Sequence, residues 1–428
     1  MRILVISDEV WNDTIHGNNV LSNWFQGFSA EFANIYCSPG FPKNTCCDRY
    51  FQITDGMMIQ SILKGKQAGI VTRMQGKCDK KYNSTDVENI GWMRKYCGDL
   101  LRFLKSVVWT FGRYNEDALG KFISDFQPDI IFSPRYANPK ILRLERVVKK
   151  YANCPMIAFT GDNEYSLRMV CYSPFGWINK FWTRAALKKN SDMYSLYYTL
   201  SDEQKAEYEK VFHCPIKILR KCTPPSVKTL PEITPLHKPI KMVYAGKLYY
   251  ERWKTLAQIG STIHTLNVGN KKFQLDIYTA DILDNQEKKA LNFPESVYIH
   301  GPVSQEEVLK IYRDSDIALH VESFQRKYRL LTRVSFSTKI IDCLSCGCAL
   351  MTVAWKEHSG LTYLKREDAS LCVDDLKKLP DILKMIGENS SQLQSYKEKA
   401  VSCLKRNHMR AAVQNELFLD FQKAIESK

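Results

Sequence analysis

From residue 240 onward, short apolar runs alternate with amphipathic stretches, and this alternation limits the fold more than any other feature of the chain. The runs Lys241–Ala245, Phe273–Tyr278, Ser296–Ile299, Asp316–Val321, Cys348–Val353 and Ser370–Val373 are four to six residues long. That is strand length, and too short for buried helices. Between them Lys254–Leu266, Ser304–Arg313 and Thr338–Ser345 place apolar residues at helical spacing. Ser304-Gln305-Glu306-Glu307 has the form of a capping box, with Val303 and Val308 set as its hydrophobic staple. Strands alternating with helices of this length build βα units and a parallel sheet.

The first half follows the same pattern with longer helical insertions. Strands are expected at Arg2–Ser7, Asp129–Ser133, Pro155–Phe159 and Met193–Thr199, and helices near Asn18–Phe28, Gly91–Phe111 and Ser201–Phe212. Pro224, Pro225, Pro231, Pro235 and Pro239, five of the chain's 16 prolines, fall in one aperiodic segment between the halves. The expected organisation is therefore α/β: a Rossmann-like domain over 1–222, a linker over 223–239, and a second Rossmann-like domain over 240–405. A helical pattern over Arg406–Lys428 has no strand after it. Two doubly wound parallel-sheet domains of this kind are expected to face each other across a ligand-binding cleft.

Composition narrows the classes of function. A 44% hydrophobic, 25% charged chain of 428 residues excludes disordered, collagen-like and coiled-coil proteins. No apolar run approaches the ~18–20 residues of a membrane span, and the start Met1–Asp8 lacks a secretory leader, so a cytoplasmic location is expected. Cys343, Cys346 and Cys348 have no second pair or histidine spacing for a zinc site and read as buried small hydrophobes. The net charge of +15 is local: residues 92–189 hold 17 basic and 8 acidic side chains.

P-loop, H-E-x-x-H, G-x-S-x-G and G-x-G-x-x-G motifs are absent from the sequence. Asp314-Ser315-Asp316 spells a D-x-D but spans a helix end and a strand start, so Asp316 is expected at the sheet edge rather than on a metal. More telling is the turn after Lys241–Ala245, where Gly246 and Lys247 precede Arg252 at the next helix. Ser335-Phe336-Ser337-Thr338-Lys339 opens a later helix. A helix N-terminus with converging cations suits a diphosphate.

In order, these elements resemble the retaining GT-B glycosyltransferases, in particular the bacterial family-four-type (group 1) enzymes that build surface polysaccharides. Gly246-Lys247 with Arg252 resembles their Gly-Arg…Lys; Val297–Gly301, Ser315–Leu319 and Glu322-Ser323-Phe324 follow as further landmarks. Lys339-Ile340-Ile341-Asp342 with Gly347 resembles the family's K-x-x-E helix, with Asp in place of Glu. The resemblance implies that Gly246, Lys247, Arg252, Ser337, Thr338, Lys339 and Asp342 bind a nucleotide-sugar donor. Lys247 and Arg252 would meet the diphosphate, Asp342 the ribose and Glu322 the sugar. On the acceptor side it implies His16, Gly17, Asn18, Asn19 and Asp162, with Glu322, Asp162 and His16 as catalytic candidates. Nineteen residues stand between Glu322 and Asp342, far more than in the family, and Gln325–Val334 looks like an inserted basic loop. The Arg406–Lys428 helix would return to the first domain.

The activity implied is sugar transfer to a saccharide or polyprenyl-diphosphate-linked acceptor in capsule, exopolysaccharide or O-antigen synthesis. It would be retaining, with no metal and no cofactor, and no protein nucleophile is required because the departing phosphate oxygen can take the acceptor proton. An inverting reaction with Asp8, His16 or Asp162 as base is the mechanistic alternative; a GT-B epimerase and a nucleic-acid-binding module are the functional ones. Residues 92–113 and 175–189 interleave aromatic and basic side chains, which suits peripheral contact with the inner face of an anionic plasma membrane. No nucleic-acid-binding motif accompanies them.

Overall fold

The computed structural model describes residues 1–14, 20–72, 87–135 and 138–427, with the backbone alone for 87–97 and 135. The chain divides into two compact units. Unit 1 comprises Met1–Leu167, Cys171–Leu219 and Gln414–Lys428, and unit 2 comprises Arg168–Val170 and Arg220–Val413.

In unit 1 the strands are β1 (Arg2–Ser7), β2 (Glu31–Tyr36), β3 (Arg49–Gln52), β4 (Ile70–Thr72), β5 (Ile130–Arg135), β6 (Met156–Thr160), β7 (Tyr194–Thr199) and β8 (Ile216–Ile218). They form one sheet in the order β4-β3-β2-β1-β5-β6-β7-β8, parallel except for the β3–β4 edge pair. Ile3, Leu4, Val5 and Ile6 are all buried, as expected of a central strand covered on both faces. Phe421 from the last helix packs on Phe25 and Phe132, and Asp420 accepts the Tyr198 hydroxyl at 2.6 Å. Strands β2, β3, β4 and β8 were not expected. Polar Asn34 interrupts the apolar run of β2, yet it is buried and donates to Ser7 and the Val5 carbonyl.

Unit 2 holds β9 (Ile240–Ala245), β10 (Phe273–Tyr278), β11 (Val297–His300), β12 (Ile317–Val321), β13 (Ala349–Val353) and β14 (Leu371–Val373). The order is β11-β10-β9-β12-β13-β14, all parallel. The chain winds outward from β9 to β11, then returns to the other side of β9 at β12. The loops after β9 and β12 therefore diverge, and this switch point is where open α/β sheets bind ligands. The expected capping box is present: the Ser304 amide donates to Glu307 at 2.7 Å and the Glu307 amide to Ser304 Oγ at 3.3 Å.

Two expectations change in detail. The proline segment groups with unit 2, where the His237 amide donates to Asp316 and Lys397 to the Thr234 carbonyl. The C-terminal helical pattern is two helices, Ser391–Asn407 and Arg410–Glu426. His408 breaks it, since its buried ring bonds the Tyr363 hydroxyl at 2.7 Å and its carbonyl accepts the Thr223 amide. Asp316 is buried on Lys397, the Lys241 amide and His237, which accounts for the second acid of the D-x-D. Cys343, Cys346 and Cys348 are buried free thiols.

Candidate functional site

The loop after β9 is built around Gly246. Its φ of 151° lies where side chains are rarely tolerated, and a Cβ there would stand 1.6 Å from Lys339 Nζ. The missing side chain thus lets the Lys339 ammonium rest against the backbone. Lys247 follows, exposed, with its carbonyl accepting the Tyr244 hydroxyl at 2.7 Å. Among the described residues no carboxylate pairs with its ammonium. Tyr250 and Glu251 both adopt left-handed backbone, at φ 62° and 59°, immediately before the helix Arg252–Leu266. Non-glycine residues held there cost on the order of 1–3 kcal/mol each, strain that collects at functional sites. The helix start has no side-chain cap.

Arg252 does not stand alone facing an anion. Its Nε donates to Glu322 at 3.1 Å and its Nη2 to both Glu322 oxygens at 2.8 and 2.9 Å. The side chains are only 12% and 5% exposed. Two residues assigned to opposite ends of the donor therefore meet each other. Burial works to lower the Arg252 pKa, but Glu322 outweighs it and the guanidinium stays charged. Thr255 Oγ1 donates to the Glu322 carbonyl at 2.9 Å, so the segment after β12 is held from the same helix.

Lys339 opens the helix Lys339–Leu344 with its ammonium 4.9 Å from the centre of the Tyr244 ring. Burial, then the charge of Arg252, pull its pKa down to about 8, with Glu322 opposing. The helix is only six residues long, and neither Ser337 nor Thr338 caps it through a side chain. Thr338 is itself in helical conformation, which turns its hydroxyl away from the capping position. The diphosphate-holding helix start expected here is thus not formed by these hydroxyls. Asp342 also departs from its expected role: Lys221 donates to both of its oxygens, at 2.8 and 3.1 Å, and the pair is largely buried. Its principal partner lies in the protein, where a ribose contact had been implied. The supposed inserted loop contains a helix, Arg326–Thr332, with Tyr328 stacked on Tyr250 and Arg329 over Trp355.

In unit 1, Asp162 follows β6. Its carbonyl accepts from Gln204 at 2.7 Å, and its carboxyl reaches solvent although desolvation by surrounding protein raises its pKa. Asp8, at the end of β1, pairs with buried Lys140 and accepts from Asn138 at 2.8 Å, which removes it as a free base. His16, Gly17, Asn18 and Asn19 lie outside the described residues.

Two histidines that were given no role from the sequence also meet here. His320 is the one polar residue in the buried strand Ile317-Ala318-Leu319-His320-Val321, and that interruption was legible. His358 precedes the helix Ser359–Arg366, and its ring centre lies 5.6 Å from that of His320.

The family described as glycosyl transferase-like matches residues 258–417. No curated protein matches the sequence. Among solved structures, sucrose-phosphate synthase from Thermosynechococcus elongatus is similar over 100% of both chains, with a TM-score of 0.65 at 11% identity. A structure described as trehalose-6-phosphate from E. coli bound with UDP-2-fluoro glucose is similar over 98% of this chain and 99% of its own, with a TM-score of 0.59 at 11% identity. TarM from S. aureus, solved with UDP, is similar over 72% of this chain and 59% of its own, with a TM-score of 0.52 at 9% identity. Identity this low establishes shared architecture only. The chain thus shares the GT-B fold of these structures over its whole length, and residues 258–417 match the glycosyl transferase-like family.

Proposed function

We propose that the protein transfers a sugar from a nucleotide-sugar donor, bound at the β9–β12 switch point of unit 2, to a saccharide or lipid-linked saccharide. The observation that carries this reading is the Lys339 ammonium resting against Gly246, the residue before exposed Lys247, close to the Arg252–Glu322 pair. Bond breaking between the sugar and the diphosphate builds negative charge on the leaving phosphate. Fixed cations at that point act chiefly in the transition state. Lys247 and Lys339 supply them, and Arg252 instead orients Glu322 toward the donor sugar. In a retaining transfer the acceptor oxygen bonds to the anomeric carbon as the diphosphate leaves, and the acceptor proton passes to the departing phosphate oxygen. No side-chain nucleophile and no metal enters that step.

We place the acceptor in unit 1 and give it a lipid-linked form, in the synthesis of a surface polysaccharide. The helices Val87–Phe111 and Pro174–Asn190 pack through Phe103 with Phe175 and Trp182, and Trp109 is buried. Phe111 and Phe181 remain 71% and 54% exposed, and the helix that carries Phe181 ends in Lys188 and Lys189, which suits an anionic bilayer surface. No helix among the described residues is long and apolar enough to cross a membrane.

A thermal-shift panel of nucleotides and nucleotide sugars, followed by product analysis with the best donor, tests the reading. Stabilisation by a nucleoside diphosphate and glycoside formation only when acceptor is present support it. A donor converted without acceptor would instead indicate an epimerase. Sedimentation with phosphatidylglycerol vesicles, reduced in Phe181→Asp, tests the membrane contact; equal recovery of both proteins would remove it.

A further inference from the structure

Strand β12 carries its imidazole at a cost. His320 is 3% exposed and its Nε2 has no hydrogen-bond partner. A buried polar atom left unpaired costs about 1–3 kcal/mol, so the position calls for a ligand. Glu322 lies two residues on, and buried His358 comes from the start of the helix Ser359–Arg366. One ligand atom from each of the three lies within 4.8 Å of the others.

We propose that His320, Glu322 and His358 form a binding site for a zinc-type divalent ion, tying the end of β12 to the start of the Ser359–Arg366 helix. Two imidazoles and a carboxylate are a donor set that suits zinc and its first-row neighbours. With bonds of ~2.0–2.1 Å, ligand atoms around a tetrahedral zinc stand roughly 3.3 Å apart. Side-chain adjustment brings the three donors from within 4.8 Å to that spacing. Three protein ligands leave a fourth position for water.

The surroundings prepare the ligands. Burial first, then His358, Arg252 and Lys339, push the His320 pKa well below its ordinary value, which keeps the ring in the neutral form that ligates. Arg252 fixes the Glu322 carboxylate from behind, as outer partners of metal ligands do. A carboxylate offers about four lone-pair positions, more than Arg252 occupies. The positive charges of Arg252 and Lys339 oppose the ion, so its affinity is lower than that of a thiolate site. The sequence implied no metal, and the titration below decides between that expectation and this site. Glu322 would then serve both the ion and the donor sugar assigned to it above; the site is tested without nucleotide, so its failure leaves the donor reading standing.

The experiment uses the full chain after dialysis against a chelator, titrated with Zn²⁺ alone and in parallel with Co²⁺. The expected result is one saturable equivalent, a rise in melting temperature, and visible cobalt bands without a near-ultraviolet thiolate band. His320→Leu suits its apolar strand, and with His358→Ser it should each lower affinity at least ~10-fold. Both variants should keep the far-ultraviolet dichroism of the parent. No saturable binding, a thiolate band, or unchanged affinity in both variants would overturn the proposal. So would loss of nucleotide affinity in His320→Leu without metal binding in the parent, which would make His320 a donor contact.

Discussion

Arg252 grips the Glu322 carboxylate through Nε and Nη2, and the two are the most enclosed ion pair at the β9–β12 switch point. Removing one partner strands a buried charge. Arg252→Met or Glu322→Leu alone should therefore cost about 3–5 kcal/mol, and the double variant should recover most of that loss. Urea unfolding of the four proteins measures the coupling. Additive losses would show that the pair contributes no mutual stabilisation.

Lys247 presents the opposite case, an exposed cation with no carboxylate partner among the described residues. Lys247→Ala should leave stability within about 0.5 kcal/mol yet lower transfer by ~10²-fold. Unfolding midpoints and initial rates with the identified donor check both halves of the statement.

Gly246→Ala would bring a methyl group against Lys339 Nζ at a φ of 151°. The obstructing atom ends a flexible side chain, so the fold survives, with a loss of about 1–2 kcal/mol for the backbone conformation. Lys339 must move, and nucleoside diphosphate affinity should fall together with it. Calorimetric titration of the variant and the parent reads this directly.

Lys339 also makes the site sensitive to pH. Its folded pKa of about 8 is below the ~10.4 of an unfolded lysine. Between those values the unfolded chain binds more protons, so this group's contribution to stability rises with pH across that window. An anionic diphosphate favours the charged form. Donor binding at pH ~8.5 should take up a proton and weaken as pH rises further. Titrations in buffers of different ionisation heat should show the uptake in the parent and not in Lys339→Met.

Much of unit 2 was legible because each of its strands is a short apolar run bounded by turn residues. The limits of β10 agree to the residue, and the Ser304–Glu307 box forms as its spacing implied. Unit 1 was less legible. Strands such as Glu31–Tyr36 carry polar residues whose partners are distant in sequence, as the Asn34 amide donates to Ser7. The same limit applied to the site. Positions near the donor could be named, but the pairing of Arg252 with Glu322 and of Asp342 with Lys221 joins residues 70 and 121 apart. Such pairings depend on tertiary geometry that no local spacing encodes. The His320 interruption of an apolar strand was the one local signal available and unused.

The most direct measurement is calorimetric titration of nucleoside diphosphates into the parent chain and into the Lys247→Ala/Lys339→Met double variant. A donor site at the β9–β12 switch point predicts saturable binding of at least one diphosphate by the parent. Affinity should fall ~100-fold or more in the double variant, about 2.7 kcal/mol. Failure of every diphosphate to bind the parent, or equal affinity in the two proteins, would contradict it.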